Sequence, residues 1–392
     1  MLRKTLFWLH LTAGVTAGLV ILTMSVTGVL LAFERQIIAF AERDLRAGAA
    51  DAARAPLPLS AIVAAATNVT DAKPTSVTLR SDRSAPVAVA FGREKTLFVN
   101  PYNAAILGSG SRGVRHFFEV NRNLHRWLAM EGESRDRGRA ITGAANLAFL
   151  FLVLSGLVIW IPRRFTRAAF RNATWFRRKL RGRARDLNWH QTLGIWAFLP
   201  LLAIVVSATV MSYEWATNLV YRAFGSMPPA QQQQQNTNGG GGKIDLAALD
   251  RAWNVARDEA NRVAPRWRTM SIRLPLSSKA SFSIDEGNGG RPDLRSQLVI
   301  DAGTARVVER KTFAAQEAGQ QARSWLRWIH TGEAGGVAGQ FIAMLASAAA
   351  MVMVWTGIAL ALRRLLRAVR GGVSIPAPDA EETLPTTDYQ SG

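Results

Sequence analysis

The chain has 392 residues, a formal net charge of +20 from 48 Lys and Arg against 28 Asp and Glu, and no cysteine. The lack of cysteine excludes disulfides, iron–sulfur clusters, thiolate-ligated haem and haem attached through a Cys-x-x-Cys-His motif. No stretch resembles a nucleic-acid-binding module, so no nucleic acid is expected among the partners.

Four stretches contain no Asp, Glu, Lys or Arg, and each exceeds the roughly 20 residues that a helix needs to cross about 30 Å of hydrocarbon. These stretches are residues 5–33, 140–162, 187–213 and 334–362. They predict an α-helical membrane protein in contact with membrane lipid. Its four transmembrane helices are predicted at 1–34, 140–162, 187–214 and 334–362.

The distribution of basic residues predicts how these helices are oriented. The loop 163–186 carries ten Lys and Arg residues and a single acid, Asp186, and the segment 363–392 begins with two arginines. Because cytoplasmic loops are enriched in Lys and Arg, we expect a bacterial inner-membrane protein with both termini in the cytoplasm. Residues 35–139 and 215–333 are then periplasmic.

Both periplasmic regions have the pattern of a small α+β domain followed by an interfacial helix. In residues 35–111 a helix is predicted at 59–67 and a turn at 100–103. Strands are predicted at 76–80, 87–91, 96–100 and 105–107. In residues 215–321 a helix is predicted at 246–263 and a turn at 301–303. Strands are predicted at 269–274, 280–285 and 297–300. Interfacial helices are predicted at 112–139 and 322–333. The Pro-, Gln- and Gly-rich segment 228–243 is predicted to be a flexible linker.

The two halves of the chain share features at matching positions. His10 and His190 are followed four residues later by Gly14 and Gly194, which leave a bare helix surface for a macrocycle or a neighbouring helix. A hydroxyl residue followed by glycine also recurs, at 155–156 and 356–357. A tandem repeat of helix, outer α+β domain and helix explains this correspondence.

Four of the five histidines lie at the edges of the uncharged stretches: His10, His125, His190 and His330. Neutral imidazole is a standard axial ligand of haem iron. Sidedness pairs His10 with His190 near the cytoplasmic face and His125 with His330 near the periplasmic face. This predicts two haems, each with two histidine ligands to the iron. The alternative is that each histidine is an interfacial residue bonded to a carbonyl or a lipid headgroup.

Other polar residues near the outer histidines have several possible roles. Arg126 and Arg327 could pair with haem propionates, or could be solvated or bound to lipid phosphates. His116 lies nine residues before His125, on the opposite face of a helix, and is not predicted to be a ligand.

Several of these motifs resemble those of the PepSY-associated transmembrane family, over nearly the whole chain to about residue 370. The motifs are at 98–108, 124–128, 156–163, 189–194 and 330–336. The resemblance implies that residues 35–111 and 215–321 are PepSY-like domains. The second domain departs from the pattern, with Asp-Ala-Gly-Thr at 301–304 in place of a Pro-Tyr turn. Because the family includes inner-membrane ferric-siderophore reductases with two b-type haems, it also implies two haem b cofactors.

Two classes of function follow from these features. The first is a di-haem enzyme that passes electrons outward and reduces a ferric siderophore or another ferric chelate in a cleft between the two PepSY-like domains. No Gly-x-Gly-x-x-Gly fingerprint is present, so the electron donor is expected to be a quinol or a separate reductase. The alternative is a non-catalytic membrane protein whose PepSY-like domains bind or regulate a periplasmic partner or peptidase.

Overall fold

The computed structural model describes residues 2–48, 51, 54–92, 95–161, 166–228, 245–287 and 289–371. Three features predicted from the sequence fall partly or wholly outside this range. They are the start of the basic loop at 163–165, nearly all of the linker 228–243, and the part of the tail 363–392 beyond 371.

Four helical segments in the described part of the chain are long and apolar enough to cross a membrane: Leu2–Leu31, Gly132–Trp160, Gly182–Ser212 and Glu333–Arg367. This confirms the predicted multi-pass membrane protein. The main helices of these segments are α1 (Leu2–Leu31), α5 (Arg135–Trp160), α7 (Gly182–Trp196), α8 (Phe198–Ser212) and α12 (Gly336–Gly371). The remaining helices are α2 (Glu34–Ala41), α3 (Leu59–Thr67), α4 (Arg112–Trp127), α6 (Arg167–Thr174), α9 (Glu214–Ala223), α10 (Leu246–Val263) and α11 (Ala318–His330).

The third span is broken into α7 and α8 at Ala197. Pro200 lies one turn beyond Trp196 and has no N–H to donate to the Trp196 carbonyl, so the helical ladder is interrupted there.

The predicted interfacial helix 112–139 is in fact two helices. The helix α4 ends at Trp127, and Leu128 and Ala129 take left-handed φ values of 53° and 57° before the chain turns into α5. Gly138 allows this reversal, because a Cβ there would lie 2.1 Å from the Trp127 carbonyl oxygen. The chain therefore folds back sharply between α4 and the membrane span.

The strands are β1 (Ser76–Arg80), β2 (Val87–Phe91), β3 (Lys95–Val99), β4 (Ile106–Gly108), β5 (Thr269–Arg273), β6 (Lys279–Asp285), β7 (Arg295–Asp301) and β8 (Val307–Thr312). They form one antiparallel sheet in the order β4-β3-β2-β1-β5-β6-β7-β8. The two α+β domains predicted from the sequence therefore do not have separate sheets, and the strands of both regions belong to one sheet. Since β1 and β5 would otherwise be exposed edge strands, pairing with each other satisfies their free N–H and C=O groups.

One face of the sheet carries the core of the extramembrane region. The helices α3 and α10 cover it, and its buried side chains include Leu59, Ile62, Val77, Val89, Leu249, Met270, Phe282 and Ile300. We call the side of the membrane with this sheet the sheet side, and the other the opposite side.

The second face of the sheet is polar and is turned toward α4 and α11. The register aligns Phe98, Ala88, Thr78, Ser271 and Ser283 in one row across it. At its two ends, the Arg115 guanidinium of α4 lies 5.7 Å from the Phe98 ring centroid, and Arg295 lies 4.6 Å from the Trp328 ring of α11. The polar face therefore lies next to α4 and α11, which lead into the second and fourth membrane-spanning segments.

Candidate functional site

Two histidines of the membrane spans face each other near the opposite side. The ring centroids of His10 on α1 and His190 on α7 are 6.5 Å apart. A metal bound at about 2 Å from one nitrogen of each ring would separate the centroids by about 6 Å. The spacing therefore suits a single metal held between two axial imidazoles.

A second pair lies near the sheet side, at the ends of α4 and α11. The ring centroids of His125 on α4 and His330 on α11 are 6.3 Å apart. His125 contacts Thr27, which is 17 residues along α1 from His10, or about 25 Å. The structure thus brings together the two pairs predicted from sidedness and places them toward opposite ends of the bundle. His116 is exposed on α4, nine residues before His125.

Hydroxyl groups contact the Nδ1 atoms of His10 and His125 and orient the two rings. Ser155 Oγ lies 2.8 Å from His10 Nδ1, and Thr27 Oγ1 lies 2.8 Å from His125 Nδ1. Each hydroxyl also contacts the carbonyl four residues earlier in its helix; with its proton donated there, its oxygen accepts from Nδ1–H. This leaves the Nε2 lone pair of each ring free to bind a metal, and metal-bound histidines characteristically donate their other N–H in this way.

His190 and His330 have equivalent contacts. Thr356 Oγ1 lies 3.1 Å from His190 Nδ1 and also donates to the carbonyl four residues before it. His330 Nδ1 instead donates to the Ile204 carbonyl at 3.0 Å, with Ser207 Oγ at 3.4 Å. All four histidines are therefore arranged as Nδ1–H donors.

Glycine follows the hydroxyl residue at three of the four histidines and makes room for the ring. A Cβ at Gly156 would lie 3.4 Å from His10 Cε1, and one at Gly357 would lie 3.4 Å from His190 Cε1. At Gly28 the distance to His125 Cε1 would be 3.7 Å. The sequence showed the pairs 155–156 and 356–357 as a recurring element but gave no indication that each contacts a histidine.

A cavity of about 280 Å³ lies around His10 and His190. Its lining is mostly apolar and includes Gly14, Gly194 and Phe149. The predicted bare helix surface thus faces a space that a flat apolar macrocycle could occupy.

Two arginines flank the sheet-side pair. The Arg126 guanidinium lies 4.6 Å from the Trp127 ring centroid, and that of Arg327 lies 5.2 Å from the Trp328 ring. Within the described residues, no carboxylate is in ion-pair distance of either one. Desolvation lowers the pKa of both guanidinium groups, and neighbouring arginines lower it further. A bound anion would relieve this accumulation of positive charge.

The electrostatic state of His125 also suits metal binding. Burial, and then the neighbouring His330, lowers the pKa of His125 to about 4, which keeps its imidazole neutral at physiological pH. In the described part of the chain, no group of three or more His, Asp or Glu residues could hold a bare metal ion. Two imidazoles alone would leave the other coordination positions of a metal to ligands from elsewhere.

Comparison with known proteins places the chain in a family. No curated protein shows significant sequence similarity to it. The family model described as the PepSY-associated TM region matches residues 7–364, a range that includes both histidine pairs and extends from the first membrane span into the fourth. The chain therefore belongs to the PepSY-associated TM family.

Proposed function

We propose that this protein is a di-haem b electron-transfer protein of the bacterial inner membrane, with both termini in the cytoplasm. His10 and His190 would hold one haem, and His125 and His330 the other. The observation that carries this proposal is the pair of centroid spacings, 6.5 and 6.3 Å, at the two ends of one helix bundle. Bound haem supplies reversible one-electron chemistry at its iron.

The protein's own residues prepare these sites. Ser155, Thr356 and Thr27 orient three of the imidazoles, and the Ile204 carbonyl orients the fourth. Apolar side chains around the opposite-side pair would surround a haem bound there and limit its contact with water. The electron donor, a quinol or a separate reductase, would act on the opposite side.

We place the electron acceptor on the sheet side, under the polar face of the shared sheet. The two α+β regions share one sheet through β1 and β5, so we prefer this location to a cleft between two separate domains. The Thr78 and Ser271 side chains on that face offer hydroxyl groups, and Arg126 and Arg327 lie beside the histidines below. An anionic, oxygen-rich ferric chelate such as a ferric siderophore complements this lining. Its reduction to Fe(II) weakens chelation by hard oxygen ligands and releases the iron.

The test is to reduce the purified protein with dithionite under anaerobic conditions and to mix it with a ferric siderophore. We expect the haem absorbance to return to the oxidised form, with Fe(II) appearing in solution. The matched control is the gallium(III) complex of the same siderophore, which has the same charge and cannot be reduced. Haem that stays reduced with both complexes would refute the ferric-chelate activity. A protein with no haem absorbance would favour the alternative, a non-catalytic membrane protein that binds or regulates a periplasmic partner or peptidase.

A further inference from the structure

Four arginines cluster where the His10–His190 cavity approaches the opposite side, and they fall into two classes. Arg185 and Arg363 both pair with the buried carboxylate of Asp186, at 2.9 and 2.5 Å. Arg183 and Arg364 line the cavity itself. Among the residues that the structure describes, neither of these two has a carboxylate within ion-pair distance.

The helical positions of Arg183 and Arg364 direct them to the same region. Arg183 precedes His190 by seven residues on α7, and Arg364 follows Gly357 by seven residues on α12. Seven residues are nearly two full turns, so each arginine lies on the cavity-facing side of its helix and about 10 Å closer to the opposite side. His190 and Gly357 lie at the same level, because Gly357 packs against the His190 ring. Arg183 and Arg364 are therefore at similar distances from the histidine pair.

Aromatic rings hold one of these guanidinium groups in place. The Arg364 guanidinium lies 4.6 Å from the Trp8 ring centroid and 5.2 Å from that of Phe7, two residues that precede His10 on α1. Stacking of this kind orients a guanidinium and leaves its N–H groups available for an anion. Both arginines are exposed at the rim of a mostly apolar cavity, and without an acidic partner in the described part of the chain they favour an anionic ligand there.

We propose that Arg183 and Arg364 form a carboxylate-binding site for the two propionates of the haem held by His10 and His190. This rests on the proposed function for the haem itself. The present proposal adds that the propionate edge of this haem points to the opposite side of the membrane. It also names the two arginines that would bind the propionates. Arginine binds carboxylates through two parallel N–H bonds, which adds orientation as well as affinity.

The first experiment compares the double variant Arg183→Leu/Arg364→Leu with the unmodified full-length protein. We expect the opposite-side haem to be lost to excess apo-globin about 100-fold faster, since each charged hydrogen-bonded contact contributes about tenfold. The midpoint potential of that haem should fall, because two cations that favour the reduced form are removed. The midpoint potential of the sheet-side haem should be unchanged. The control is Arg367→Leu, which removes an exposed arginine of the same helix whose Nε donates to the Arg363 carbonyl.

The second experiment separates propionates from lipid phosphates as the bound anion. Haem-depleted protein is reconstituted with haem or with its dimethyl ester, which has no free carboxylate. The unmodified protein should prefer haem by about 100-fold at the opposite-side site, and the double variant should show little preference. Equal binding of haem and ester by the unmodified protein, or an unchanged potential in the variant, would overturn the proposal. A protein that takes up no haem at all would instead refute the proposed function.

Discussion

The two histidine pairs share one contact pattern but are held by different parts of the fold. His10 and His190 lie within membrane spans, on α1 and α7. His125 and His330 lie on α4 and α11, which connect the spans to the edge strands of the sheet. The geometry of the opposite-side pair thus depends on packing inside the bundle. The geometry of the sheet-side pair depends also on where the extramembrane sheet sits.

The largest expected effect is the loss of one haem when a ligand is removed. His10→Ala and His190→Ala should each reduce the haem content from about two to about one per chain and leave the same residual spectrum. His125→Ala and His330→Ala should leave the other residual spectrum. Pyridine haemochrome assays across the four variants measure this. If His10→Ala and His330→Ala gave the same residual spectrum, the pairing would be wrong.

A second prediction uses the glycines that pack against the imidazoles. Gly156→Val or Gly357→Val should displace His10 or His190, because a Cβ at either position already lies 3.4 Å from the ring. We expect the opposite-side haem to be largely lost and the sheet-side haem to be retained. Gly28→Val should have the reverse pattern, and matched haem loss in all three variants would show that these glycines have no site-specific role.

A third prediction concerns the hydroxyl groups. Ser155→Ala and Thr27→Val should each retain some haem with about 10- to 100-fold lower affinity at the affected site, as for other partners of metal-bound histidines. The midpoint potential of that site should rise, because an imidazole without its Nδ1–H acceptor is less basic and stabilises Fe(III) less. Ser207→Ala should have the smallest effect, since His330 donates to the Ile204 carbonyl. Redox titration of the three variants checks the order, which would be contradicted if Ser207→Ala shifted the potential most.

The smallest expected effect is electrostatic steering on the sheet side. The rate of haem reoxidation by an anionic ferric chelate should fall as ionic strength rises, since the Debye length shortens to about 8 Å at physiological salt. Arg126→Gln and Arg327→Gln should slow reoxidation severalfold, and Arg178→Gln, in the basic loop of the opposite side, should not. Stopped-flow rates that were independent of salt and equal in all three variants would exclude steering.

Much of the local structure could be predicted because it depends on short-range patterns. The helices at 59–67 and 246–263 and the strands at 76–80 and 87–91 have the predicted bounds. The strand β8 was missed, since its sequence Val-Val-Glu-Arg-Lys-Thr has no apolar alternation and its charges are typical of an edge strand.

The long-range features could not be predicted. Pairing of β1 with β5 joins residues almost 200 positions apart, and nothing in either strand specifies the other as its neighbour. The end of α4 at Trp127 also could not be predicted from the sequence, because leucine and alanine, found at positions 128 and 129, rarely take left-handed conformations. Sidedness alone predicted which histidines meet, whereas the residues that contact their Nδ1 atoms required the packing of the helices.

The most direct test of the account is the absorbance spectrum of the purified protein before and after dithionite reduction, combined with haem quantification. We predict about two haem b per chain and, on reduction, the sharp α and Soret bands of iron with two histidine ligands. A protein purified in folded form with no Soret absorbance, and unable to take up added haem, would contradict it.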